Sequence, residues 1–225
     1  MRLLAIDTAL AACSAAIFDF DKGILASESL PMTRGHAEAL IPLIGRVVET
    51  AGIDYATLDR IAVTVGPGSF TGLRVGVAAA RGIALAAGKP CVGVTTLRAL
   101  ASPYAAADIK STVLAVIDAR HHHLYFQGFD AAGDPLDAPR VISVEELIAS
   151  LPQGRVHVIG DAANLIESVW PAGKVAPVFA QFDAPDIAWV ARLGARAEIA
   201  REPPKPIYLQ APNVKPPQPS GLVGP

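Results

Sequence analysis

Residues 65–88 read VGPGSFTGLRVGVAAARGIALAAG, a glycine-rich turn running straight into a helix of small residues. A turn of this kind delivers backbone amides to a helix start, which can hold an anion. Two stricter phosphate patterns fail. A Walker loop brackets four residues between two glycines and follows them with Lys and Ser or Thr, whose ammonium neutralises the outer phosphates; Gly66 and Gly68 fit no such frame, and Leu73-Arg74 stand after Gly72. The dinucleotide pattern would need its third glycine at Thr71. What survives is a generic anion turn. Arg74 lies in the first helical turn, where the dipole disfavours a cation, so an external carboxylate, a phosphate or solvent must relieve it. Arg81, seven residues on, shares its face. The run HHH at 121–123 offers imidazoles, but consecutive strand residues alternate faces, so at most His121 and His123 share one and solvent-facing strand residues are expected rather than a metal site.

The elements that must position these groups follow from apolar period. Arg2–Ile6, Ala11–Phe20 and Gly23–Leu30 read as three antiparallel strands, with a turn at Asp21-Lys22-Gly23. From Gly35 to Ala51 apolar residues at 37, 40, 41, 44, 47, 48 and 51 share one helical face, with Pro42 predicting a kink. Strands at 60–65 and 91–95 flank the small-residue helix at 71–88, and such alternation implies parallel pairing through crossovers. In that helix Gly72, Gly76, Ala80, Ala84 and Gly88 recur every four residues and leave a face almost without side chains. Interior glycine costs about 0.5–1 kcal/mol against alanine, so close packing must compensate at Gly76 and Gly82. The packing partner is either the 35–51 helix of the same chain or another molecule.

A second lobe is expected from about Lys110: a strand pair at 112–117 and 124–129, a short helix at 143–150 opened by the capping box Ser143/Glu146, a strand at 156–159, and a final helix from Asp183 to about Arg201. The boundaries read 1–109, 110–202 and a proline-rich tail at 203–225, extended and latching at Ile207–Leu209. No repeat appears at short solenoid periods. With 225 residues, 52% hydrophobic and 18% charged, the chain is globular; a formal charge of −2 gives no overall basic field for gripping a phosphate backbone, though a local patch stays open. Cys13 and Cys91, far apart in apolar runs, read as reduced thiols. The N-terminal apolar run is too short for a signal core and no stretch reaches a membrane span, so a cytoplasmic location is expected.

Taken together, MRLLAID at 1–7, GHAEALIPLI at 35–44, VGPGSFTGLRVGVAAARGIA at 65–84, VTTLRALA at 94–101, IDAR at 117–120 and PIYLQAP at 206–212 resemble the bacterial TsaB family over most of the chain. The resemblance implies a two-lobed α/β fold of the actin, sugar kinase and Hsp70 type (ribonuclease H-like), with mixed sheets flanked by helices. It also implies a role as the partner of TsaD in making N6-threonylcarbamoyladenosine at position 37 of tRNA, without catalysis or a cofactor of its own. TsaE joins the larger assembly, and tRNA is met only through the complex. Docking on TsaD is expected through the 35–51 and 71–88 helices, with His36, Leu40, Ile44, Val47, Gly72, Arg74, Gly76, Ala80 and Arg81 as contact residues; the isolated chain is expected to self-associate there. TsaD-like proteins carry two histidines four apart on a helix; here His36 is followed at that interval by Leu40, so no metal site is expected and a metalloprotease reading falls. An actin-type nucleotide site would draw on Asp7, Thr8, Gly66 and Gly68 from the first lobe and Asp118 and Gly160 from the second. The second turn, Asp118-Ala119-Arg120-His121, puts bulky side chains where glycines belong, and Asp161 beside Gly160 would repel a nucleotide. The site therefore reads as vestigial; a self-sufficient ATP-dependent kinase or transferase of the same fold is the competing reading.

Overall fold

The computed structural model describes residues 1–105, 111–152 and 154–210. The expected boundary at 109/110 and the tail from 211 onward lie outside the described residues. Three antiparallel strands, β1 (Arg2–Asp7), β2 (Ala12–Asp19) and β3 (Gly23–Pro31), lead into α1 (His36–Ala51). Next, β4 (Arg60–Gly66) joins β1 in parallel, α2 (Phe70–Ala87) crosses over, and β5 (Cys91–Thr95) joins β4 in parallel. The sheet order is β3-β2-β1-β4-β5, and α3 (Thr96–Ala105) closes this half.

The second half repeats the scheme. Strands β6 (Thr112–Arg120), β7 (His123–Phe129) and β8 (Arg140–Ser143) form the meander, α4 (Val144–Ala149) follows, and β9 (Val156–Gly160), α5 (Ala163–Ser168), β10 (Val178–Gln181) and α6 (Ile187–Arg196) complete it. The order β8-β7-β6-β9-β10 matches the first sheet strand for strand, with parallel and antiparallel pairs in the same places. The chain is thus a structural duplication with a period of about half its length, far longer than any solenoid repeat.

Local chemistry sets these elements. The apolar stripe of α1 buries Leu40, Leu43, Ile44, Val47 and Val48 against Leu4, Ile6 and Ile17 of the sheet, and the helix runs through Pro42 to a left-handed stop at Gly52 (φ 63°). Ser69 caps α2 by accepting from the Gly72 amide, and Gly88 ends it. The capping box is in place on α4: the Glu146 amide donates to Ser143 Oγ at 3.1 Å and the Ser143 amide to Glu146 Oε2 at 2.8 Å. By length and composition α2 could cross a bilayer (18 residues, mean hydropathy 1.3), contrary to the expectation that no stretch comes near; it is instead one layer of the first half, with Leu73, Gly76, Val77, Ala80 and Ala84 buried.

The last helix of each half crosses to the other sheet. Leu97, Leu100 and Ala101 of α3 pack with Val113, Ala115, Ile117 and Phe129 of the second sheet. Conversely α6, expected in the second lobe, lays Ile187, Val190 and Ala191 on Leu3, Ala5, Phe18 and Ala62 of the first. Gly194 permits this approach, since a Cβ there would collide with Ala62. Arg60 then fastens the helix end, its Nη1 donating to the carbonyls of Gly194 (2.7 Å) and Ala197 (2.7 Å). Helix α6 is also shorter than expected; it starts at the Asp186 cap and ends at Arg196.

Candidate functional site

The glycine loop and the β1–β2 turn meet at the centre of the molecule and satisfy one another. The Ser69 amide, an anion donor in a phosphate turn, donates to the Ala9 carbonyl at 2.7 Å. Thr8 Oγ1 donates to the Gly72 carbonyl at 2.7 Å. A Cβ at Gly68 would strike Ala9, one at Gly72 the Thr8 carbonyl and one at Gly76 the Thr8 hydroxyl. The N-terminal part of the small-residue face of α2, at Gly72 and Gly76, therefore packs on the Thr8–Ala9 turn, a partner neither sequence alternative named, while Ala80 and Ala84 share a core with Leu40, Ile44 and Val47 of α1, as the intrachain alternative expected. Gly66, at φ 109°, carries the loop under the chain's late segment, where the Ile207 amide donates to the Val65 carbonyl at 2.7 Å. Tyr208 packs on Phe70 with the rings tilted by 39° (centroids 5.0 Å apart), Arg74 lies over the Phe70 ring at 3.9 Å, and Arg74 Nε donates to Tyr208 Oη at 3.1 Å. This answers the Arg74 question: an aromatic face and a phenol oxygen compensate its charge at the helix start. Ile207 and Tyr208, where a latch is expected, thus lie against this loop.

The carboxylates are engaged in part by the same turns. Asp7 is fully buried; its Oδ1 accepts from Thr64 Oγ1 at 2.6 Å and the Ala9 amide at 3.2 Å, while Oδ2 has no partner among the described residues. Burial pushes its pKa up to about 6, against the lowering pull of those hydrogen bonds. Asp161 accepts from the Asp118 amide at 2.8 Å, and burial, with repulsion from Asp118 and Asp183, pushes it up to about 6 as well. Asp118 pairs with Arg120 at 3.2 Å. Gly160, at φ 123°, presses against the Val116 carbonyl, where a Cβ would collide. Between the halves a cavity of about 340 Å³ is lined by Ala9, Leu10, Ser69, Asp118, Arg120 and Asp161. The structure thus brings Asp7, Thr8, Gly66 and Gly68 together and sets Asp118 and Gly160 across from them, with the loop's Ser69 amide, Asp7 Oδ1 and Asp118 already engaged.

The pH consequence is specific. A folded-state pKa raised above the unfolded value of about 3.9 means that the native state binds more protons between the two. Asp7 therefore costs stability when ionised; the cost is absent below pH 4, grows through pH 6 and reaches at most about 3 kcal/mol above it. Asp7→Asn should remove this component, so the stability difference between variant and parent should shift in the variant's favour from pH 4 to pH 7.5, as urea unfolding across that range would measure.

The helices expected to dock place their residues unevenly. Leu40 (0% exposed), Ile44 (1%) and Val47 (2%) belong to the chain's own core, as does Ala80, and so correct the expectation of a contact face. Gly72 and Gly76 face Thr8, and His36 is buried with Nε2 at 3.3 Å from the Leu10 carbonyl. Only Arg74 and Arg81 of the expected set are exposed. The outward stripe is a different one: Ala37, Ile41 and Gly45 on α1, and Ala78, Gly82 and Leu85 on α2. Ile41 is 57% and Leu85 85% exposed, and an added Cβ at Gly45 or Gly82 would meet nothing. Ala37, Ile41 and Gly45 fall at i, i+4 and i+8, along the edge of the wide apolar stripe, where spacing alone does not separate them from the inward residues. The histidine run is also re-read. Arg120, His121 and His122 take left-handed conformations (φ 70°, 53° and 62°) in the β6–β7 turn, so only His123 is a strand residue; all three histidines are exposed. Among the described residues no three His, Cys, Asp or Glu side chains converge as a metal cluster would require.

Residues 24–197 match the family model of TsaD, tRNA N6-adenosine threonylcarbamoyltransferase. The chain belongs to the TsaD family. The tRNA threonylcarbamoyladenosine biosynthesis protein TsaB of Escherichia coli (strain K12) is 37% identical over 126 residues, 56% of this chain and 54% of that protein, so the match spans about half the length of that family relative. A Pseudomonas aeruginosa crystal structure, of a protein described as similar to the peptidase YeaZ, superposes with a TM-score of 0.79 at 26% identity, covering 93% of this chain and 99% of that one. A ROK family glucokinase from Streptomyces griseus in complex with glucose and AMPPNP shares the fold alone: TM-score 0.50 and 12% identity, over 88% of this chain and all of that one. The TsaB resemblance and the two-lobed sugar-kinase-type fold expected within the TsaD family are both borne out.

Proposed function

We propose that this chain is a noncatalytic activator that docks on TsaD in the machinery for tRNA N6-threonylcarbamoyladenosine, working in the cytoplasm. The observation that carries the reading is the contrast between its two surfaces. In the cleft the turn groups bond mainly to one another: Asp7 Oδ1 accepts from Thr64 and Ala9 and the Ser69 amide donates to Ala9, which leaves Oδ2 of the buried Asp7 as the unpartnered atom among the described residues. Meanwhile α1 and α2 present an apolar ridge, Ile41 and Leu85 beside the open positions Gly45 and Gly82, on which two helices of a partner can lie at close range. By binding TsaD in its competent conformation the chain raises the population of that state. TsaE joins the assembled pair, tRNA meets this chain only through it, and the isolated chain pairs with itself through the same ridge. The likeness to TsaB supports the pathway, and the cleft geometry supports the absence of a reaction within it.

Reconstitution tests this directly. TsaD should modify tRNA when this chain is present and stall without it, while calorimetry of the chain alone with ATP and magnesium should show no micromolar binding. Turnover by the isolated chain, or chelator-sensitive peptide cleavage, would replace the proposal with the kinase-type or peptidase reading.

A further inference from the structure

A groove of about 390 Å³ runs from the C-terminal turns of α2 to the segment after α6, bounded by Arg81, Leu85, Lys89, Ile199, Arg201 and Glu202. Three cations line it against one carboxylate, and that carboxylate, Glu202, is bonded to Lys205 Nζ at 2.5 Å. Arg81 and Arg201 are exposed and Lys89 half-buried; none of the three appears in an ion pair among the described residues. Its rim is apolar: Leu85 is 85% and Ile199 57% exposed. Gly82, open to solvent, places the mouth beside the docking ridge on the same helix.

We propose that this groove receives an acidic segment of the TsaD partner, whose carboxylates meet Arg81, Lys89 and Arg201 while its apolar side chains cover Leu85 and Ile199. The inference rests on the docking function proposed above. It commits to a protein strand rather than a nucleic acid because a phosphate backbone would meet the cations and leave Leu85 and Ile199 in water, whereas a peptide covers both. Complementary charge at the edge of an apolar contact speeds encounter and fixes register.

The test is calorimetric titration of TsaD with the full chain at low and high salt, repeated for Arg81→Glu/Lys89→Glu/Arg201→Glu and for the neutral set Arg81→Gln/Lys89→Gln/Arg201→Gln. Arg81 and Arg201 are exposed and Lys89 is half-buried without an ion pair among the described residues, so melting should change little; should the reversed chain melt early, the neutral set carries the test. The expected result is a loss of at least about tenfold in affinity at low salt for the reversed chain, a smaller loss for the neutral one, and a flattened salt dependence for both. If the parent binds TsaD and both variant chains match it in affinity and salt dependence, the inference is overturned while the docking function stands. If the parent fails to bind TsaD, both fall. If the variants lose binding to tRNA and none to TsaD, the groove is a nucleic-acid surface and the inference is overturned.

Discussion

Replacing Gly76 with Leu is expected to lower stability by more than about 3 kcal/mol, which for a chain of this size is roughly 10 °C in melting temperature. The reason is position. Even a methyl group at Gly76 would overlap the Thr8 hydroxyl, whose hydrogen bond to the Gly72 carbonyl ties the β1–β2 turn to α2. A leucine must also displace Val63 on the strand beneath. The control lies six residues further along the same helix. Nothing approaches an added Cβ at Gly82, so Gly82→Ala should stabilise by about 0.5–1 kcal/mol through the lower backbone entropy of the unfolded chain. Opposite signs at two glycines of one helix would be read directly by urea unfolding, and equal effects would contradict the packing described.

The second large effect concerns association. Ile41→Asp puts a carboxylate at the middle of the outward stripe of α1, at a side chain that is 57% exposed. Folding should be nearly indifferent, within about 0.5 kcal/mol. Pairing with TsaD should weaken about a hundredfold, because the aspartate would be desolvated in an apolar contact without a partner. Leu40→Asp, one residue away, should instead destroy the fold, since Leu40 is completely buried in the first core. Co-purification of each variant with TsaD, alongside its melting curve, separates the two.

The neighbouring residues Leu40 and Ile41 also show where sequence reading stops. The apolar spacing between 37 and 51 establishes that a helix forms, and the structure gives one at His36–Ala51. It does not establish which apolar residues face inward, because the stripe is wider than the sheet can cover and the excess falls outside. From spacing alone, the inward set therefore looks the same as a docking set. The small-residue repeat of α2 is legible as a demand for close approach, but the partner of Gly72 and Gly76, Thr8, lies more than sixty residues earlier, and no periodicity encodes a long-range contact. The elements absent from the sequence reading have local causes: β8 and β10 are four-residue edge strands with little burial to pattern, α5 has only six residues, and α3 begins at Thr96 directly after β5 ends at Thr95, with no turn between them to mark its start. The capping box of α4, by contrast, is chemistry between near neighbours, and four letters of sequence suffice to find it.

The crossing of α3 and α6 bears on how the chain is born. The face of the first sheet formed by Leu3, Ala5, Phe18 and Ala62 is complete once β5 has been made, yet its cover, Ile187–Ala191, comes about ninety residues later. At a synthesis rate of roughly 5–20 residues per second, that oily face waits on the ribosome for something like five to twenty seconds. Nascent chains of this protein should accordingly engage holding chaperones over that interval and be released when the final helix emerges.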